Sequence, residues 1–330
     1  VKTIQVIAPA KVNLFLGVGP KREDGFHRVD TVMHTLALHD RLTVTHLEVG
    51  DHVKLEERWS REQPIRQTEL EVHPGDGLTV HTHCVWMDGI IPEDVLSEKN
   101  LATKAVYALA KKLGRAEDEY FRISIEKHIP SRAGMGGGSS DAAAALVAAC
   151  YFWDVDINSE PVIETAHELG ADVCFFLQGG CAVLTGKGEE VASHIKPRHD
   201  SVVVIRPDEG VSTKRAYDKF DEDPFYAQDD MIQQIAALES ADQAPLFNNL
   251  EPAAQSLLDD LSEIHEWLEN AEETKGTLMC GSGSAIFAIC DSTSDATAVV
   301  GRARLKGWWA RSTMFSPIGA AKIPDSAMRW

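Results

Sequence analysis

At 330 residues the chain exceeds the size at which a single hydrophobic core keeps growing, so two domains are expected, divided as residues 1–196 and 197–330. A hydrophobic content of 44% with 25% charged residues is that of an ordinary globular protein. No apolar run approaches the roughly 20 residues that cross a bilayer. Thirty-two basic against 51 acidic side chains leave a net charge of −19, which argues against a nucleic-acid or anionic-membrane partner and makes any cation beside an anion-binding loop conspicuous.

Val1 to Pro9 alternates like a strand and lacks the apolar block and cleavage site of a signal peptide, so a cytoplasmic protein is expected. Gly17, Gly19, Pro20 and Gly25 punctuate strands and turns up to residue 46, with an apolar-rich strand at Thr31 to His39. Residues 47–99 read as strands separated by a long polar insertion, with charge from Asp51 to Arg66, a turn at His73 to Gly77 and alternation from Leu78 to Val85. His81 and His83, in that alternation, read as a solvated strand face; none of the thirteen histidines falls into a metal-binding spacing. Asn100 caps a helix whose apolar stripe is Leu101, Ala105, Val106, Leu109, Ala110 and Leu113, and Gly114 closes it.

Phe121, Ile123 and Ile125 alternate with polar residues as a half-buried strand, and Ala142 to Ala149 is a strong helix former with Ser139, Ser140 or Asp141 as its cap. A short helix from Pro161 to Leu169 stops at Gly170, and a strand at Ser201 to Ile205 opens the second domain. Ala254, Leu257, Leu258, Leu261, Ile264 and Leu268 mark one long amphipathic helix, and Cys280-Gly281-Ser282-Gly283-Ser284 leads into an apolar strand at Ala285 to Cys290. Helices and mostly antiparallel strands alternate irregularly, which predicts an α+β architecture. The six cysteines show no C-x-x-C spacing and read as reduced, mostly buried thiols.

Between the strand at 121–126 and the alanine-rich helix lies Pro130-Ser131-Arg132-Ala133-Gly134-Met135-Gly136-Gly137-Gly138-Ser139-Ser140. Glycines let the backbone turn with positive φ and bring an anion against main-chain N–H groups, while the start of the helix offers unpaired donors and a positive dipole end. Strand, glycine loop and helix in that order make a phosphate cradle, and the expected ligand is a nucleotide phosphate. No lysine follows the glycines and there is no G-x-G-x-x-G, so neither a Walker loop nor a Rossmann turn is present.

The whole set of motifs resembles the GHMP small-molecule kinases. Ala8-Pro9-Ala10-Lys11-Val12-Asn13-Leu14 followed by Asp24-Gly25-Phe26-His27 resembles the first motif, the glycine loop through Asp141 the second, and Met279 to Ser284 the third. Gly170-Ala171-Asp172-Val173 and Asn248-Asn249-Leu250-Glu251-Pro252 are also family-like, so the likeness covers nearly the whole chain. The detail is most similar to those members that phosphorylate the 2-hydroxyl of a cytidine-diphosphate-linked methylerythritol, in non-mevalonate isoprenoid synthesis. The resemblance implies a two-domain fold, ribosomal protein S5 domain 2-like at the N-terminus and ferredoxin-like at the C-terminus, with the site between. It implies ATP, with magnesium brought on the nucleotide and no dedicated metal cage, and a small-molecule acceptor as partner.

Residue by residue it assigns Asp172 to take the acceptor's proton and Lys11 to keep Asp172 ionised and stabilise developing charge, with Asn13 positioning them. Pro130 to Ser140 wrap the phosphates, Asn100 and Lys104 border the adenine, and Ser139 or Ser140 approaches magnesium. His27 hydrogen-bonds the cytosine edge, Phe26 and Tyr217 sandwich the ring, and Thr213 lines that pocket. The chain departs from the family at Phe26 (usually tyrosine), Cys174 (proline), Cys280 (serine) and Asn249 (aspartate). Two alternatives stay open: a family member acting on mevalonate, homoserine or a sugar, and a kinase-like binding protein without turnover.

Overall fold

Strand β1 (Lys2–Lys21) runs antiparallel to β2 (His27–Glu48), and these two unusually long strands form the spine of the larger sheet. The computed structural model describes residues 1–57, 66–87, 90 and 96–328. The pairing of β1 with β2 slips between Pro9 and Lys11 and again between Asn13 and Phe15; such bulges re-aim side chains and are common beside active sites. Within the charged stretch that follows, β3 (His52–Glu57) and β4 (Arg66–Glu71) pair as a separate ribbon. Residues 58–65 of the expected insertion lie outside the described residues.

The chain continues through β5 (Leu78–Trp86), α1 (Leu101–Leu113), β6 (Glu119–Lys127), α2 (Gly137–Trp153), α3 (Glu160–Leu169), α4 (Ala171–Gln178), β7 (Cys181–Thr185) and β8 (Glu190–Ile195). The remainder comprises β9 (Ser201–Arg206), α5 (Thr213–Phe220), α6 (Asp229–Ala236), β10 (Phe247–Asn248), α7 (Glu251–Gln255), α8 (Asp259–Glu269), β11 (Thr274–Met279), β12 (Ile286–Cys290), α9 (Thr293–Leu305), β13 (Trp309–Met314) and β14 (Ala321–Lys322). The first sheet is ordered β10–β1–β2–β6–β5, with β14 also on β1, and β7 carrying β8 onto β2. Its helical layer buries the apolar faces of α1 and α2 against Val44, Phe121 and Ile123. The second sheet, β11–β12–β9–β13, is antiparallel throughout. Its β9–helices–β11–β12–α9–β13 sequence, with β9 and β12 in the centre, is the ferredoxin-like arrangement expected for the C-terminal part.

Several sequence expectations hold in detail: Asn100 accepts from Ala102 N at 2.9 Å to cap α1, and Gly114 ends it in the left-handed region at φ 65°. Three are corrected. Ser139, Ser140 and Asp141 do not cap α2, because the helix already begins at Gly137 with Gly136 at its N-cap and no side-chain cap. The single long helix from 254 to 268 is two, α7 and α8, parted where Leu258 turns extended (φ −152°) and Ser256 Oγ donates back to Ala253 O at 2.7 Å. His83 is not on a solvated face; it is buried, 7% exposed, with Nε2 3.1 Å from Ser124 Oγ on the adjoining strand β6. The segment after Gly170 is helical as α4, an element the short G-A-D-V motif does not announce. The six thiols are free, five of them buried. Among the described residues no helix is long and apolar enough to cross a membrane.

Candidate active site

The glycine loop crosses between β6 and α2 and is held from the C-terminal sheet. Ser284 N donates to Arg132 O at 3.1 Å, Ala285 N to Ala133 O at 3.2 Å, and Lys11 N to Met135 O at 3.1 Å. Gly134 stands at φ +73°, and a Cβ there would lie 1.8 Å from the Cys280 carbonyl oxygen; only glycine allows the two loops to meet. The first intrahelical bond of α2 is Ser140 N to Gly136 O, so the amides of Gly137 to Ser139 have no acceptor within the helix. They are the donors that an anion on this loop would meet.

A cavity of about 440 Å³ opens over the loop, lined by Pro130 to Gly138 together with Lys11, Asn13 and Asp172. Lys11 Nζ lies 4.0 Å from Asp172 Oδ2 and donates to Asn13 Oδ1 at 2.6 Å. Asn13 Nδ2 in turn donates to Thr31 Oγ1 at 2.8 Å, and Thr31 Oγ1 to Phe15 O at 2.6 Å. Lys11 is only 5% exposed, and this relay through Asn13 fixes its ammonium group toward Asp172. Asp172 sits in the first turn of α4, where the helix sets its direction; a helical backbone supplies the rigidity that a proline at position 174 would otherwise give, and Cys174 packs as a buried thiol.

A second cavity, about 430 Å³, adjoins the first and is lined by Phe26, His27, Thr213 and Tyr217. Val29, Lys187, Thr213 and Tyr217 border both spaces. Phe26 is 58% exposed with Lys187 Nζ 4.3 Å from its ring centre, and the His27 and Tyr217 rings are 5.3 Å apart. Burial, reinforced by the charge of Asp172, pushes the Tyr217 hydroxyl up to about 12, so it stays a donor. Thr213 Oγ1 lies 2.9 Å from Ser282 Oγ, tying α5 to the third glycine motif. Ser139, Ser140, Asn100 and Lys104 do not line either cavity. Ser140 is fully buried, Lys104 is exposed on α1, and the Asn100 side chain is engaged in capping.

The family described as GHMP kinases N terminal domain matches residues 100–180, and that described as GHMP kinases C terminal matches residues 229–307. The 4-diphosphocytidyl-2-C-methyl-D-erythritol kinase of Desulfitobacterium hafniense (strain Y51) is 33% identical over 317 residues, covering 94% of this chain and 96% of that protein. The chain belongs to the GHMP kinase family. The enzyme of the same name from Thermobifida fusca (strain YX) is 32% identical over 334 residues, with 97% and 98% of the two chains covered. Among solved structures, a crystal structure of 4-(cytidine 5'-diphospho)-2C-methyl-D-erythritol kinase superposes with a TM-score of 0.71 at 29% identity, over 95% of this chain and 100% of the other. A homoserine kinase from Cytophaga hutchinsonii shares the fold, at a TM-score of 0.66 and 18% identity, over 97% of each chain.

This GHMP kinase also carries functional candidates that its motifs did not single out. Lys127, at the end of β6, reaches the cavity floor and is paired with both Asp40 and Asp141, at 2.6 Å from Asp141 Oδ2. All three are buried. Asp40 Oδ1 accepts from His128 N at 2.5 Å and Ile129 N at 2.8 Å, so the triad anchors the backbone that enters the glycine loop. Two carboxylates share one ammonium: burial raises Asp141 to about 7 against the pull of Lys127, and the Asp40 charge adds to the rise. Lys127 stands two residues before Ile129-Pro130 and Asp141 directly after Ser139-Ser140; closeness to the loop was the available signal, while their union with Asp40 is long-range. Asn249, where the family resemblance leads one to expect aspartate, accepts from Val18 N at 2.8 Å and donates to Val18 O at 2.8 Å and Phe225 O at 2.9 Å. A carboxylate could not make the last two bonds.

Proposed function

We propose that this GHMP kinase transfers the γ-phosphoryl group of ATP to the 2-hydroxyl of 4-diphosphocytidyl-2-C-methyl-D-erythritol, a step in isoprenoid precursor synthesis. The observation that carries the reading is the pair of adjoining cavities, one with the glycine loop, Lys11 and Asp172, the other with Phe26, His27 and Tyr217. The open amides of α2 would hold the phosphates, and the acceptor would span the shared wall, its base in the second space and its alcohol at Asp172. Asp172 accepts the hydroxyl proton as the oxygen bonds to the γ-phosphorus and the bond to the ADP oxygen breaks. Lys11 keeps Asp172 ionised and offsets charge on the transferring group. Phosphoryl transfer of this kind depends on alignment and charge neutralisation, which is what a buried lysine oriented by Asn13 provides.

We read magnesium as arriving on ATP, as the family resemblance implies. Gly137 and Gly138, whose amides have no acceptor within the helix and which line the first cavity, would hold the phosphates that carry the ion, and the ion would supply charge neutralisation there. We place the enzyme in the cytoplasm, where a kinase that draws on ATP would find its nucleotide. The test is to incubate the purified protein with ATP, magnesium and the cytidine-linked acceptor and to follow ADP and the 2-phosphate product. Absence of that product, with turnover of mevalonate or homoserine in its place, would overturn the assignment.

A further inference from the structure

Asn248 and Glu251, both buried in the segment Asn248-Asn249-Leu250-Glu251-Pro252, have no part in the reaction as described. Asn248 closes β10, where it pairs with Leu16 on the strand that carries Lys11. Its Nδ2 donates to Met279 O at 3.0 Å and to Gly281 O at 2.7 Å, and its Oδ1 accepts from Leu250 N at 3.0 Å. Glu251 Oε2 accepts from Met279 N at 3.2 Å. The third glycine motif is therefore gripped on one side by these two side chains. On the other, Gly281 and Ser282 line the first cavity, and a Cβ on Gly281 would come 3.2 Å from Lys11 Nζ. Within the motif Cys280 N donates to Ala285 O and Gly283 N to Cys280 O, each at 2.8 Å. The Ser282 amide has no acceptor among the described residues.

We infer that Asn248 is a positioning residue for phosphoryl transfer: by capturing the Gly281 carbonyl it turns the Ser282 N–H toward the first cavity, as a donor to the terminal phosphoryl group of ATP. The inference rests on the reading of ATP as phosphoryl donor and goes beyond it by naming a hydrogen-bond donor outside the glycine loop and the side chain that aims it. The Gly281–Ser282 peptide is trans, so its C=O and N–H point in opposite directions. A carbonyl drawn onto buried Asn248 leaves the N–H facing away from that side chain, on the side that borders the cavity. A side-chain amide suits the task, because its nitrogen carries two hydrogens and satisfies both carbonyls at once. The amides at the start of α2 and the Ser282 amide reach the cavity from different loops. Donors fixed where charge develops stabilise the group in transit, and Ser282 stands at that place because its neighbour Gly281 abuts Lys11 Nζ.

Calorimetric titration with AMP-PNP and with ADP, magnesium present, reads the contact, since only the first ligand carries the terminal phosphoryl group. A hydrogen bond to a charged oxygen is worth roughly 10- to 100-fold in affinity. Asn248→Ala is therefore expected to weaken AMP-PNP about tenfold more than ADP. Asn248→Ser keeps one hydrogen and an acceptor for Leu250 N, and carries the test at about a threefold differential should the alanine variant not fold. An Asn248 that served only the fold would lower both affinities together, so equal losses, or none, overturn the inference. Neither ligand involves the acceptor alcohol. A protein that shows the differential but leaves the cytidine-linked acceptor unphosphorylated refutes the proposed reaction and keeps the role of Asn248; one that phosphorylates the acceptor and loses both ligands equally refutes the role of Asn248 and keeps the reaction.

Discussion

Replacing Gly134 by alanine would test whether the glycine loop depends on its contact with the C-terminal sheet. The added Cβ would sit 1.8 Å from the Cys280 carbonyl oxygen and 2.7 Å from its carbon, and both are backbone atoms that no rotamer change can move. Restoring van der Waals contact requires the loops to part by about 1.5 Å. That parting breaks the bonds from Ser284 N to Arg132 O and from Ala285 N to Ala133 O, each worth about 1 kcal/mol. The positive φ at this position costs an alanine a further 1–2 kcal/mol, approximately. A total of about 2–5 kcal/mol should lower Tm by roughly 5–10 °C. Displacing the cradle by more than an ångström should reduce kcat/KM for ATP by about 10²-fold. Gly138→Ala is the control for stability, because its Cβ meets nothing closer than Leu101 Cδ1 at 3.7 Å; its melting temperature should stay within about 2 °C of the native value. If Gly134→Ala melts and turns over like the native protein, or if Gly138→Ala is equally destabilised, the loop-to-loop contact does not hold the site.

Asp172→Asn and Lys11→Ala should each lower kcat by at least about 10²-fold while ATP affinity by calorimetry changes little; near-native rates in both would remove them from the chemistry. His27→Ala should raise KM for the cytidine-linked acceptor about tenfold and leave KM for ATP nearly unchanged, and equal losses for both substrates would place His27 elsewhere. Glu119 gives a pH signature. Burial opposes its ionisation, yet hydrogen bonds from His46, Arg115 and Trp153 hold it down at about 2. A carboxyl depressed below its ordinary value of 4.5 stabilises the fold while ionised, so its contribution is present above that pH and is lost as the pH falls toward 2. Urea unfolding should show the native protein losing about 2 kcal/mol between pH 5 and pH 3 through this group, a loss that Glu119→Gln does not share. Parallel pH dependence in the two proteins would show that Glu119 is not depressed.

The chemistry-bearing residues were legible because their signals are local. A glycine run between an alternating strand and an alanine-rich stretch can be read in a dozen residues, and Lys11 and Asp172 each stand in a short motif. What escaped the sequence is what depends on distant partners. The union of Lys127 with Asp40 joins residues 87 positions apart, and no spacing rule points from one to the other. His83 alternates as an exposed residue should, and its burial is decided by a neighbouring strand that pairs only after the chain has folded. The apolar residues from Ala254 to Leu268 keep one helical period across a break, because α7 and α8 bury the same side of the chain against one core.

The sheet that bears Lys11 is finished by segments made late in synthesis. Phe247–Asn248 lies parallel along Phe15 and Leu16, and Ala321–Lys322 pairs with Val6 and Ile7. A ribosome delivers the first strand hundreds of residues before the pieces that complete its edge. The nascent chain therefore carries an open, strongly apolar strand through most of translation, and Lys11 reaches its final surroundings only when residue 322 has emerged.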